Sequence, residues 1–174
     1  MKILITGIGC IGKSSLRERV VSEFPDKVIS VDMDYDKHIP YDKGKIVIVE
    51  SVHGLENNPE IFDRILYLLP PRWHIILWLR RGWVWFASGI VDFSEPKGKR
   101  KRFAVSNIPI ILKIILRNIY GRRRWIREDL CKLQKGLEER TNITSSVDDG
   151  YRIIKSWVMN DTNPVKLNNK RVII

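Results

Sequence analysis

Four continuous apolar runs divide the first eighty residues of the chain. They cover residues 2–6, 27–32, 45–50 and 74–80. Runs that are apolar throughout, rather than alternating with polar residues, are typical of strands in a parallel sheet covered on both faces. The pattern therefore predicts an α/β fold of three layers, in which strands alternate with helices.

Apolar residues at helical spacing separate and follow these runs. The first such segment begins at Lys13 and is stopped by Pro25, with its apolar side chains on one face: Leu16, Val20, Val21 and Phe24. Residues 59–69 are interpreted as a second short helix, ended by two prolines. Further helices are predicted at 105–119, at 122–139 with a stripe of Ile126, Leu130, Leu133 and Leu137, and at 147–158, with a short last strand at 142–145.

The segment between the first strand and the first helix carries a phosphate-binding motif. It reads GIGCIGKS and fits the pattern GxxxxGK[ST] in the required context of strand, loop and helix. Backbone N–H groups of such a loop cradle phosphates at a helix N-terminus, Lys13 would reach the β- and γ-phosphates, and Ser14 would bind Mg²⁺. The residues predicted to hold the nucleotide are Gly7, Ile8, Gly9, Cys10, Ile11, Gly12, Lys13, Ser14 and Ser15.

Other motifs narrow the class of nucleotide-binding protein. A GTPase would carry a guanine-reading NKxD after a later strand and a DxxG after the third strand, and the chain has neither. We therefore expect a P-loop NTPase fold of the small-molecule kinase type, with ATP and Mg²⁺ as cofactors. No internal repeat or second domain is evident, so residues 1–174 are interpreted as one domain.

Three carboxylates follow the predicted strands. Asp32 and Asp34 come after the second strand and Glu50 closes the third. The carboxyl ends of parallel strands face the ligand crevice, so these side chains are candidates for metal binding or for accepting a proton. We assign Asp32 and Glu50 to the metal and Asp34 to the acceptor hydroxyl; the alternatives are an Asp-rich turn and a glutamate that faces solvent.

The positive charge of the chain is concentrated in one segment. The net charge is +11, and residues 97–127 contain eleven Lys or Arg and no acid. Arg123 and Arg127, one helical turn apart, are predicted to stabilise the transferred phosphoryl group, with Arg80 or Arg81 as a second source. The surplus charge could instead bind nucleic acid, with tryptophans stacking on bases, or form a solvated loop.

The two cysteines and the lack of a long apolar run indicate where in the cell the chain is expected. Cys10 and Cys131 have no spacing that predicts a disulfide framework or a zinc site, which favours a reduced, cytoplasmic setting. The longest apolar candidate is interrupted by Lys113 and Arg117. The helix at 105–119 has the composition of an interfacial anchor, but packing on a domain needs the same apolar band, and membrane contact is not expected.

The motifs together resemble a known family. GxxxxGKS, the DxD after the second strand, and the runs IVIVE and IILWLR resemble the nucleoside and nucleotide kinases related to adenylate kinase. The DxD is similar to that of shikimate and gluconate kinases, and its placing resembles uridine kinases and polynucleotide 5′-kinases. The HG after the third strand resembles adenylate-kinase-like ribosome-assembly factors, and the Trp- and Arg-rich region with RRRWIRE is similar to bacterial topology modulation proteins. The resemblance implies a basic, helical lid-type insertion after the fourth strand, at 82–136.

Two departures from the family leave the acceptor open. The insertion is unusually long, basic and rich in tryptophan, and no counterpart of the DR[EYH] signature of nucleoside kinases is present. The leading hypothesis is an ATP-dependent kinase of a nucleoside, nucleotide or other small acceptor. The alternatives are a polynucleotide kinase acting on RNA or DNA ends, and a nucleotide-gated module that binds nucleic acid or a membrane with weak ATPase activity.

Overall fold

A computed structural model describes residues 1–33, 39, 44–56, 58–71, 73–88, 90–91, 101–102 and 108–160. Its main sheet has five strands, all parallel. A separate antiparallel ribbon pairs two strands of two residues each. The strands are β1 Lys2–Thr6, β2 Val28–Asp32, β3 Ile46–Ser51, β4 Arg64–Leu68, β5 Ile90–Val91, β6 Lys101–Arg102 and β7 Thr141–Thr144.

One helix connects β1 to β2, two helices lie between β4 and β7 together with the β5–β6 ribbon, and a fourth follows β7. Short 3₁₀ turns precede β4, at Pro59–Ile61, and β7, at Glu138–Arg140. The helices are α1 Lys13–Glu23, α2 His74–Ser88, α3 Ile108–Leu133 and α4 Val147–Met159.

The order of the strands places β1 at the centre of the sheet. The order is β2-β3-β1-β4-β7, so β1 pairs with both β3 and β4. All five strands run in the same direction, and their carboxyl ends therefore meet at one edge. The glycine-rich loop that follows β1 lies in the middle of this edge, between the ends of β3 and β4.

Apolar side chains cover both faces of the sheet. Alternate residues of β1 point to opposite sides, so that Ile3 and Ile5 belong to one buried cluster and Leu4 to the other. Helices α1 and α4 pack on the first face, and the C-terminal end of α3 packs on the second. The predicted α/β class with a parallel sheet is confirmed, and the layers are compatible with a three-layer arrangement.

The first and last helices form as their sequences predict. Leu16 and Val20 of α1 are fully buried. In α4, the Ser146 hydroxyl accepts a hydrogen bond from the Asp149 N–H at 3.2 Å, which caps the helix N-terminus. Gly150 lets α4 approach the sheet closely, since a Cβ there would lie 3.1 Å from Leu16 and 3.2 Å from Leu66.

Two predicted elements are wrong, and each is of the opposite type. The run at 74–80 was expected to be a strand and lies in α2; residues 59–69 were expected to be a helix and contain β4. Short apolar runs fit both periods, and the environment decides between them. Ile65 to Leu68 are buried on both sides between β1 and β7, whereas α2 buries only one side, with His74 and Trp78 buried and Leu79 exposed.

The two helices predicted at 105–119 and 122–139 are one helix, α3. Gly121 lies inside it, with the Trp125 ring over the glycine: a Cβ at residue 121 would lie 2.9 Å from that ring. An internal glycine costs a helix about 1 kcal/mol, which packing of this kind readily offsets. Leu133 and Leu137 of the predicted stripe are buried as expected, but α3 ends at Leu133.

The correction to the strands also moves the predicted insertion. Because the fourth strand is β4, the segment that follows it already begins with α2 and continues through the β5–β6 ribbon into α3. Asp34, and residues 97–100 and 103–107 of the basic segment 97–127, lie outside the described residues. Among the helices that the structure describes, none combines the length and apolar character needed to cross a bilayer.

Candidate functional site

The loop between β1 and α1 depends on two glycines with positive φ. Gly7 has φ +129°, and a Cβ there would collide with the carbonyl oxygen of Leu68 at the end of β4. Gly12, with φ +93°, is the N-cap of α1, and its Cβ would lie 2.7 Å from Val147. A larger residue at either position would force the loop away from the edge of the sheet. Gly7 thus seats the loop against the end of β4, and Gly12 lets the start of α1 approach the start of α4.

Lys13 folds back over this loop. Its Nζ donates to the carbonyl oxygens of Gly7 and Ile8, at 3.0 Å each, and the residue is only 5% exposed. A buried ammonium group is costly unless it is hydrogen-bonded, and the two carbonyls provide that compensation. The contacts fix the loop's curvature and hold the positive charge within it.

Ser14 links the start of α1 to the neighbouring strand. Its hydroxyl donates to Oε1 of Glu50 at 2.7 Å. The parallel pairing of β1 with β3 places Glu50 opposite Ile5, two residues before the loop. The hydroxyl and the carboxylate therefore lie together at the carboxyl edge, and their predicted shared role in metal binding stays a prediction.

Asp32 and Glu50 are neighbours on adjacent strands, and Arg17 lies between them. Asp32 is opposite Glu50 in the β2–β3 pairing. Nη1 of Arg17 is 3.4 Å from Oδ2 of Asp32 and 3.3 Å from Oε2 of Glu50. All three side chains are less than a fifth exposed, so this guanidinium offsets the repulsion between two carboxylates that the sheet brings together.

One oxygen of Glu50 lacks a hydrogen-bond donor among the described residues. Oε2 is buried and accepts no hydrogen bond there, although it lies 3.3 Å from Nη1 of Arg17. Within the described residues, no three His, Cys, Asp or Glu side chains are grouped so as to hold a metal ion. A cation at this edge would therefore need the Ser14 hydroxyl and ligand oxygens in addition to the carboxylates of Asp32 and Glu50.

Helix α2 packs directly against the glycine-rich loop. Nε2 of His74 lies 2.9 Å from the Gly9 carbonyl oxygen, and a Cβ at Gly9 would be 3.0 Å from the Trp78 ring. One turn further, Nη1 of Arg81 lies 3.8 Å from Sγ of Cys10. Three residues on one side of α2 therefore cover the middle of the loop.

His74 is fully buried beneath this contact. Its Nε2 also lies 3.1 Å from the indole Nε1 of Trp78, so this ring nitrogen either donates to Gly9 or accepts from Trp78. Burial lowers the pKa of His74; the hydrogen bond to Gly9 opposes that shift, and the positive charges of Arg122 and Lys13 reinforce it. The imidazole is thus held in its neutral form against the loop.

One arginine of α3, Arg122, reaches this region. Its Nη2 lies 3.5 Å from the carbonyl oxygen of Pro70, and its charge acts on His74. Arg123 and Arg127, which the sequence suggested for transition-state stabilisation, are exposed on α3. Their contacts with the loop stay a prediction.

The other loop residues predicted to hold the nucleotide differ in how far they are buried. Ile8 and Ile11 are buried in the core on the α1 side of the sheet and anchor the loop from below. Cys10 adopts a positive φ of 60°, and burial raises the pKa of its thiol, which Arg81 opposes. Ser15, the last predicted nucleotide contact, is exposed at the start of α1.

Sequence reasoning missed Arg17, His74 and Trp78. Arg17 is one helical turn after Lys13, a spacing that places both on the same side of α1 and could have indicated it. His74 and Trp78 have the same i, i+4 spacing, which was hidden when residues 74–80 were interpreted as a strand. Both signals depend on assigning the right helix first.

Comparison with known proteins assigns no family. No protein-family model matches the chain, and no curated protein matches its sequence. The functional hypothesis therefore depends on the geometry at the carboxyl edge of the sheet.

Proposed function

We propose that the chain is an ATP-dependent phosphotransferase of the small-molecule kinase type, with Mg·ATP held at the loop of residues 7–15. One observation carries this proposal. At the carboxyl edge of the central strand, a loop with the pattern GxxxxGKS holds the Lys13 ammonium within it and aims the Ser14 hydroxyl at Glu50 of the adjacent strand. A glycine-rich turn with only a structural role has no need of both contacts.

The loop supplies positive potential for phosphate groups. Backbone N–H groups at the start of α1 lack intrahelical partners and carry the positive end of the helix dipole. In the part of the chain that the structure describes, no side chain caps the N-terminus of α1, whose N-cap is Gly12. Together with the Lys13 ammonium, these groups would bind the β- and γ-phosphates, while α2 shields the loop from the side of Gly9.

The side chains beside the loop suit Mg²⁺ better than a metal whose ligands all come from the protein. Mg²⁺ is usually held by one or two carboxylates, waters and the phosphates of the substrate. Ser14 and Glu50 would bind it, with Asp32 next to them. Oε2 of Glu50, which accepts no hydrogen bond from the described residues, is available for such a role, directly or through a water. The ion would neutralise charge on the phosphates.

Other residues of the chain would complete the transfer. Asp34 is assigned to accept the proton of the acceptor hydroxyl, as the sequence suggested. Arginines would offset charge on the transferred group: Arg123 and Arg127 from the sequence, and Arg81 and Arg122 because they lie at the loop and at the end of β4. The acceptor itself is assigned to the class of small hydroxyl or phosphate compounds.

The test has a binding step and a transfer step. Calorimetry should detect Mg²⁺-dependent ATP binding that Lys13→Met abolishes and Lys27→Met, at an exposed lysine after α1, leaves unchanged. Transfer of labelled phosphate is then measured to nucleosides, nucleotides, other small hydroxyl compounds, and RNA and DNA ends. Failure to bind ATP would refute the proposal, and transfer confined to polynucleotide ends would replace it with the alternative kinase.

A further inference from the structure

The side of the α2–α3 pair that faces away from the loop carries large apolar side chains in contact with solvent. Trp83 is 69% exposed and Ile76 is 62% exposed. Monomeric proteins seldom expose contiguous apolar groups of this size unless the surface binds something. We call this surface the outer face and define it by six exposed residues: Ile75, Ile76, Leu79 and Trp83 of α2, and Leu112 and Leu116 of α3.

The two helices are antiparallel, which makes the outer face continuous. Near the start of α2, Arg122 of α3 reaches the Pro70 carbonyl; further along α2, a Cβ at Gly82 would lie 2.7 Å from Ile115. The residue of α3 in contact thus moves back as α2 advances. On each helix the exposed stripe lies next to the contact with the other helix, in the same rotational sense. In an antiparallel pair that arrangement puts both stripes on the same side.

Positive charge surrounds the outer face. Residues 74–88 and 108–127 contain no Asp or Glu. Arg80 on α2, and Lys113 and Arg117 on α3, are exposed beside the apolar stripes. An apolar surface rimmed by cations complements a partner surface in which anionic groups cover an apolar layer.

Two other occupants fit this surface poorly. A second copy of the chain, packed face to face, would bring the same cations into contact with each other. Single-stranded nucleic acid binds through base stacking on aromatic rings, but Ile76, Leu79 and Leu116 are aliphatic and would stay exposed to water. Hydrocarbon is the environment that these side chains favour.

We propose that the outer face binds the surface of an anionic lipid bilayer, with α2 and α3 lying in the plane of the interface. The aliphatic side chains enter the acyl boundary, and Lys113 and Arg117 lie among the anionic headgroups. Trp83 and Tyr120, which is 80% exposed, are of the residue types that settle at headgroup level. The opposite side of α2 stays on the glycine-rich loop, so bound lipid and the proposed nucleotide site would share one helix.

Vesicle flotation of the full chain tests this surface. We expect the chain to float with vesicles of phosphatidylcholine and phosphatidylserine, far less with phosphatidylcholine alone, and less as salt is raised. The double variant Leu79→Gln/Leu116→Gln should lower the partition coefficient by about 100-fold, at about tenfold for each side chain. The double variant Lys113→Gln/Arg117→Gln should lower it by about fivefold for each charge.

A matched control places the same substitutions at exposed apolar residues elsewhere. Ile61→Gln/Met159→Gln changes a 3₁₀ turn and the end of α4, and should float like the wild type. ATP binding should be the same in all of these variants, which separates this test from that of the proposed function. The proposal is wrong if the wild type ignores anionic vesicles, or if the control loses as much binding as the variant of the outer face. It is also wrong if that variant loses only self-association or oligonucleotide binding.

Discussion

The carboxyl edge of the sheet and the outer face of α2 and α3 are opposite in the kind of side chain that they bury and expose. At the edge, charged groups are buried: Lys13 on two carbonyls, and Glu50 beside Ser14 and Arg17. On the outer face, apolar groups as large as Trp83 are exposed. A buried charge costs stability unless it is compensated, and large exposed apolar groups keep an unfavourable contact with water that a bound partner would remove. At the edge the compensation lies within the chain, as hydrogen bonds and ion pairs; on the outer face it would have to come from outside.

The two regions meet in α2. His74 and Trp78 lie on the loop, while Leu79 and Trp83 lie on the outer face. One helix therefore has a buried side that packs on the loop and a side that exposes large apolar groups to solvent. If the comparison is right, substitutions at the edge should affect nucleotide chemistry and stability, whereas those on the outer face should affect surface binding alone.

The largest effect is expected at Lys13. Lys13→Met keeps much of the side-chain volume but removes the charge from the loop, and phosphoryl transfer should fall by about 10²-fold or more, since electrostatic positioning dominates such reactions. Transfer rates at saturating Mg·ATP measure the loss, and the exposed Lys27→Met is the control. Wild-type rates in Lys13→Met would mean that the loop does not position phosphates.

The next largest effect is expected on the Mg²⁺ dependence of phosphoryl transfer. Ser14→Ala should raise the Mg²⁺ concentration needed for half-maximal transfer by roughly 10–100-fold, a range typical when a group that supports a metal is lost. Ser22→Ala on the same helix removes a hydroxyl that donates to the Arg19 carbonyl, and should leave the Mg²⁺ dependence unchanged. Equal Mg²⁺ curves for Ser14→Ala and the wild type would remove Ser14 from the metal site.

Arg17 should matter chiefly for stability. Without its guanidinium, Asp32 and Glu50 repel each other where water screens them poorly, so Arg17→Met should lower the free energy of unfolding by about 1–3 kcal/mol. Arg152→Met, which breaks an exposed pair with Asp149, should cost under about 1 kcal/mol. Added Mg²⁺ should stabilise Arg17→Met more than the wild type. Identical denaturant midpoints for Arg17→Met and Arg152→Met would contradict this role.

The smallest expected effect is the pH dependence of folding stability that His74 introduces. Its pKa in the folded protein is below the ordinary value of about 6.5, so below that pH the unfolded chain binds more protons at this residue than the folded chain. The stabilising contribution is therefore complete above about pH 6.5 and is lost as the pH falls towards the lowered pKa. The charges facing the ring, Lys13 and Arg122, favour the neutral form throughout.

His74→Gln retains a donor for the Gly9 carbonyl but does not titrate. Between about pH 7 and pH 5, the wild type should lose more unfolding free energy than this variant. His53→Gln, at an exposed histidine paired with Glu56, is the matched control. Parallel stability curves for the wild type and His74→Gln would show that His74 does not contribute to the loss.

The parts of the site that the sequence predicted are those formed by neighbouring residues. Gly7, Gly12, Lys13 and Ser14 belong to one loop, and the order of strand, loop and helix specifies their chemistry locally. The spacing after Lys13 could have placed Arg17 on the loop side of α1, but its role depends on Asp32 and Glu50 meeting across β2 and β3. Such pairings join residues distant in the chain, and no local pattern reports them.

The sequence likewise did not show whether two of the elements are strands or helices. The run at 59–69 and the run at 74–80 are both apolar enough for either structure, and both were assigned the wrong one. Burial on both sides between β1 and β7 made the first a strand, and contact with the loop on one side only made the second a helix. For short apolar runs, tertiary contacts outweigh local propensity.

The sequence by itself therefore determined the parallel α/β class, the glycine-rich loop and the placing of Lys13, Ser14 and Glu50 at one edge, because strand runs, turn residues and motif spacing are local. Only the tertiary structure decided which side of α2 meets the loop and which is left to solvent. That choice depends on how α2 and α3 pack, through Gly82 and Ile115, and on the space beside Gly9. Packing at such points is a property of the assembled fold, since it is set by segments that lie far apart in the chain.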